Sequence, residues 1–135
     1  RIALSGYDAD AVWRADGGIE GERRPAGLHV MDTRDWSVRT LDARASGFVA
    51  AGGLLVTSGP GGRGLAAYSP EGREAFQVLG DRRVEVVATV GSLAYVRAPP
   101  EPALHVVDLT RGRVVGTGAA GRATLLLGRV AAGWE

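Results

Sequence analysis

The chain has 135 residues, 45% hydrophobic and 23% charged, which is the composition of one globular domain or one piece of a larger one. Its 16 basic and 15 acidic residues leave a formal net charge of +1, too balanced to draw nucleic acid or an anionic membrane by its field. The lack of cysteine removes disulfides, thiolate zinc sites and cysteine nucleophiles, and no apolar run approaches the ~20 residues of a helical membrane span.

In chain order, a first strand is expected at 1–6 on Ile2-Ala3-Leu4 and a second at 10–14 on Ala11-Val12-Trp13. A long connection from Ala15 to Ala26 follows, then strands at 27–32 and 37–41. Phe48-Val49-Ala50-Ala51, a Gly52-Gly53 turn and Leu54-Leu55-Val56-Thr57 open the next set, at 47–51, 54–58, 64–69 and 73–79. The same pattern puts strands at 85–90, 93–97, 103–108 and 113–117, and residues 123–134 begin it again with two more. Glycine, aspartate, serine and proline punctuate these β-branched runs, and no stretch holds an apolar face at helical spacing for ~11 residues.

The pattern is periodic. Leu28 to Val38 can be laid over Leu65 to Ala75 and over Leu104 to Val114, at separations of 37 and 39 residues. A period of about 40 residues holding four short strands describes a propeller blade, which is a four-stranded antiparallel sheet. The expected fold class is therefore all-β, one partial β-propeller domain over 1–135, with blades at 1–41, 47–79 and 85–117 and a partial fourth at 123–134. The outer edge of such a partial blade lacks a partner, so another segment pairs with it or the edge stays exposed.

The outer hairpin, an apolar strand, Asp-x-x-x-Gly and a second apolar strand, as in Val106 to Val115, resembles the repeat of the YVTN and quinoprotein-like propellers, whose blade is shared with WD40 proteins. The Gly-His and Trp-Asp dipeptides of WD40 blades and the tryptophan docking motif of quinoprotein dehydrogenases are absent. The resemblance implies a ring of about six to eight blades, completed by further sequence or by a second copy of the chain. The alternative fold is a β-trefoil; the partial fourth repeat and the lack of a Gln-x-Trp signature argue against it.

Propellers bind through the face formed by the connections between second and third strands and between blades, and enlarged connections there are natural recognition elements. On that face the candidate binding residues are Asp16, Glu20, Arg23 and Arg24 of the long connection, with Arg63, Arg82, Arg83 and Arg122. Arg44 shares the face, and Asp42, Asp81 and Glu101 mix its charge. Other suggestive residues have structural readings. Asp32 and Asp108, at one repeat position, cap turns. His29 and His105, also equivalent, lie too far apart for one metal ion and read as half-exposed strand residues. The acidic residues from Asp8 to Glu22 fit no calcium loop. Gly59 to Gly64 lacks the Lys-Ser/Thr and helix of a phosphate loop and reads as a hairpin connection. Trp13, Trp36 and Trp134 fall at non-equivalent places and read as separate packing groups.

With no nucleophile–base pair, metal cluster or cofactor motif in view, no catalytic residue, metal or cofactor is assigned. The expected function is a non-catalytic protein-binding or scaffold module, its partner a protein or a second copy that completes the ring. The alternative is part of a propeller enzyme, lactonase-like or dehydrogenase-like, with its site at the central channel. The exclusive use of arginine as the basic residue points to a GC-rich, bacterial coding sequence and leaves the compartment of this soluble chain open. The opening on Arg1, without a signal-peptide pattern, suggests a removed start or a piece of a longer product.

Overall fold

The computed structural model of the chain describes residues 1–9, 12–13, 15–16, 19–21, 23–59 and 62–119. Among these residues there is no α-helix, and the strands are β1 (Ile2–Ala9), β2 (Val12–Trp13), β3 (Ile19–Glu20), β4 (Arg23–Met31), β5 (Val38–Asp42), β6 (Val49–Ala51), β7 (Leu54–Ser58), β8 (Arg63–Tyr68), β9 (Glu74–Arg83), β10 (Glu85–Val90), β11 (Leu93–Arg97), β12 (Ala103–Asp108) and β13 (Arg113–Ala119). They form an all-β fold of three antiparallel sheets and one short hairpin. The first sheet has the order β1-β4-β5, the second β6-β7-β8-β9 and the third β10-β11-β12-β13, while β2 pairs only with β3.

The second sheet lies between the other two, and β8 shows why. Leu65, Ala66, Ala67 and Tyr68 are all buried, as expected of a strand covered on both faces. Alternation along the strand sends Leu65 and Ala67 into a core with Val96, Val107 and Leu109 of the third sheet and the connection beyond it. Ala66 and Tyr68 join a separate core with Leu28 of the first sheet and Ala45. No core cluster of the described residues joins the first sheet to the third. Stacking is therefore serial, and each fully buried Leu or Val contributes on the order of 1.5–3 kcal/mol by its removal from water.

Turns lock neighbouring sheets together. The β8–β9 turn seats Gly72 (φ 83°) where an added Cβ would lie 2.8 Å from Leu41 Cδ2 and 2.9 Å from Arg39 Cδ of β5. Arg39 Nη1 donates to Glu71 O at 2.9 Å across the same junction. The β12–β13 turn seats Gly112 (φ 60°) against Phe76 of β9, with 2.8 Å left for a Cβ to Phe76 Cγ. Only glycine combines that left-handed φ with so close an approach.

The first sheet departs from expectation. β1 pairs directly with β4, from Ile2 opposite Met31 to Ala9 opposite Arg23, so residues 10–14 do not separate them. Val12–Trp13 instead pairs with Ile19–Glu20, and the connection expected from Ala15 to Ala26 is largely hairpin and strand. Pairing with β4 gives the backbone groups of β1 partners along the whole strand, from Ile2 to Ala9. The strands expected at 123–134 and the end of the chain lie outside the described residues.

Candidate functional site

One cleft of about 440 Å³ opens where the first sheet meets the second, and both strands and connections form its walls. Pro25 comes from β4, Ala43, Arg44 and Ser46 from the β5–β6 connection, Ser58 from the end of β7, Gly62 from the β7–β8 connection, and Arg83 from the end of β9. A smaller cleft of about 200 Å³ adjoins it through the shared Ser46 and Ser58.

The chain leaving β5 places Arg44. Asp42 accepts Arg44 N on Oδ1 at 2.9 Å and Ala45 N on its carbonyl at 3.4 Å, an aspartate-capped turn. Gly27 N donates to Ala45 O at 3.0 Å, holding the turn against β4. Gly27 has φ 96°, and a Cβ there would lie 3.0 Å from Asp42 O. Asp42 itself is 5% exposed, and its Oδ2 has no hydrogen-bond partner among the described residues. Burial, and then the negative charges of Asp42 and Glu74, push the Tyr68 phenol above its ordinary pKa.

A bulge places Arg83. Leu65 pairs with Val78 and Arg63 with Arg83, so that Gly64 alone stands opposite Leu79 to Arg82. Backbone this crowded leaves an added Cβ on Gly64 (φ 70°) 2.9 Å from Gly80 Cα. The bulge also holds Leu79 at φ 56°, a left-handed conformation that costs a non-glycine residue on the order of 1–3 kcal/mol. Bulges re-aim side chains at functional rims. This one sets Arg63 and Arg83 opposite one another and sends Arg82 elsewhere, to Glu101 Oε2 at 2.7 Å and Asp81 Oδ2 at 3.6 Å.

The electrostatics of the site follow. Among the described residues no ion pair or side-chain hydrogen bond engages the guanidinium of Arg44, Arg63 or Arg83, whereas Arg34, Arg82, Arg97 and Arg111 each meet a carboxylate. Of the residues singled out from the sequence, Arg83 lines the cleft, Arg63 is its cross-strand partner, and Arg82 is neutralised beside it. Arg82 and Arg83 sit on β9 rather than in a connection between sheets, because the bulge carries that strand four residues past Leu79. Arg23 and Arg24 lie on β4 opposite Ala9 and Asp8, Glu20 lies on β3, and Asp16 occupies an exposed turn. Neither Asp16 nor Arg24 is among the described residues that line the cleft, and Arg122 falls outside the described residues. Pro25 and the serines were missed by sequence reasoning, which favours charge over the small residues that shape a wall.

The remaining suggestive residues take structural places. Asp32 Oδ1 accepts Arg34 N at 3.0 Å, and Asp108 Oδ1 accepts Thr110 N at 2.9 Å and Arg111 N at 3.1 Å, so both carboxylates cap turns. His29 Nε2 donates to Ala26 O at 2.7 Å, and Nδ1 lies 3.0 Å from Thr40 Oγ1, whose hydroxyl it accepts when the ring is neutral. His105 stands 3.1 Å from Thr117 Oγ1 but is only 5% exposed, with Nε2 unpartnered; the expectation of half-exposure fails because its strand face is covered by the second sheet. Trp36 is 67% exposed and so is not a packing group between sheets. No group of three His, Asp or Glu among the described residues is placed to hold a metal, and among the same residues there is no helix long and apolar enough to cross a membrane.

Comparison with known proteins finds no family model, no curated protein and no solved structure that matches this chain.

Proposed function

We propose that this chain is a non-catalytic binding or scaffold module on a β-propeller, part of a larger ring that a protein partner or a second copy completes. The observation that carries this reading is the serial stack with an apolar face left open. Across the first sheet Ile2, Met31 and Val38 align in register on the face away from Leu28, with Leu4 beside them. Ile2 is 41%, Leu4 47% and Val38 60% exposed. On the far side of the stack Val90 of the third sheet is 61% exposed. Clustered exposed apolar side chains of this kind mark interaction surfaces.

Two further features support blades over a trefoil. The first and third sheets share no core cluster among the described residues, whereas three units around one threefold axis would share one. The turn of each following sheet also seats on the outermost strand of the one before, Gly72 on β5 and Gly112 on β9. Light scattering on the purified chain tests the reading. It predicts a dimer or larger assembly, or a monomer that retains a protein partner; a strictly monomeric chain that retains none contradicts it.

A further inference from the structure

We propose that the cleft between the first and second sheets binds an acidic peptide segment of a protein partner, with Arg44 and Arg83 as its carboxylate-binding residues and Arg63 in support. The inference rests on the binding-module reading and names the chemistry of its ligand.

Like charges directly opposite on antiparallel strands repel, yet Arg63 and Arg83 face one another in register and are both exposed. The fold keeps them there with two left-handed residues, Gly64 and Leu79, and spends the intervening Arg82 on Glu101. Strain held beside an unneutralised pair of cations is the arrangement of a site awaiting an anion. Arg44, also without a carboxylate among the described residues, reaches the same cleft from the β5–β6 connection. Between the two arginines the walls formed by the described residues are neutral, with Ser46 and Ser58 offering hydroxyl donors.

Guanidinium forks bind carboxylates through paired, charge-assisted hydrogen bonds, which favours planar oxyanions carried at intervals along a chain. A cleft of about 440 Å³ exceeds what one small oxyanion fills, and falls in the range of sites that enclose larger ligands. The balanced overall charge supplies no field for a polyanionic nucleic acid, so a peptide is the ligand the surface favours.

The test is fluorescence anisotropy with the full chain, using a labelled glutamate-rich peptide and the same peptide with glutamine in place of glutamate. The glutamate peptide is expected to bind and its counterpart not. Arg83→Gln and Arg44→Gln should each weaken binding about tenfold, and Arg113→Gln, on exposed β13, should leave it unchanged. Arg63→Gln should weaken binding while raising the thermal midpoint of the free protein, a pairing that loss of a merely structural contact would not produce. No binding, equal binding of the two peptides, an equal loss in Arg113→Gln, or equal competition by single-stranded DNA would each overturn the proposal. An assembly seen by light scattering without peptide binding overturns this inference alone and leaves the scaffold reading standing.

Discussion

Trp36 holds a backbone conformation, φ 61°, that costs an L-residue on the order of 1–2 kcal/mol, and its 67% exposure gives little burial in return. Gly112, four residues after Asp108 as Trp36 is four after Asp32, takes the same φ at no steric cost. Trp36→Gly should therefore raise the denaturant midpoint, by up to about 1 kcal/mol after the added flexibility of glycine, with the slope unchanged. Asp32 in the same turn carries a pH dependence. The Arg34 side chain, then its backbone N–H, hold the Asp32 carboxyl well below the usual carboxylate range. A depressed folded value means that the carboxylate contributes stability above its unfolded pKa of about 3.9 and loses it as pH falls below that toward the folded value. Asp32→Asn should lower stability at neutral pH, and its deficit against the natural protein should shrink below about pH 4; a deficit unchanged in acid would refute the linkage. The capping role of Asp32 and Asp108 was legible in the sequence because a short acid at a turn has few other uses. The burial of His105 was not, because alternation shows that a strand has two faces and not which of them a neighbouring sheet covers.

At the scale of elements, the second and third sheets were legible almost strand for strand, since short apolar runs and glycine turns fix local hairpins. The first sheet was misread because the choice between a meander and one long β1–β4 ladder is made by pairs as distant in sequence as Ile2 and Met31, which local pattern does not report. The same limit hid the cleft: Arg44, in the connection leaving the first sheet, and Arg83, at the end of β9, line one cleft only when the first and second sheets stack. Turn seating offers a direct check on that stacking. Gly112→Ala combines a strained φ with a Cβ 2.8 Å from the Phe76 ring and should destabilise by about 1–3 kcal/mol in chemical unfolding. Gly53→Ala, with φ 76° and nothing within 4 Å, meets only the backbone strain and should cost less. Equal losses would mean that the turn does not press on Phe76.

Across the whole molecule, the sheets are joined by two cores that meet back to back through β8, so removing its side chains should be felt on both sides. Leu65→Ala, at a fully buried position, should cost about 2–5 kcal/mol and lower the unfolding midpoint of the chain as one cooperative unit. The serial order of the sheets is what favours a propeller over a trefoil, and methyl and aromatic NOEs in solution test that order most directly. Contacts are expected from Leu65 and Ala67 to Val96 and Val107 and from Leu28 to Ala66 and Tyr68, with none between Leu28 and Val107. NOEs joining Leu28 to Val107 in a monomer would close the first sheet onto the third and contradict that order.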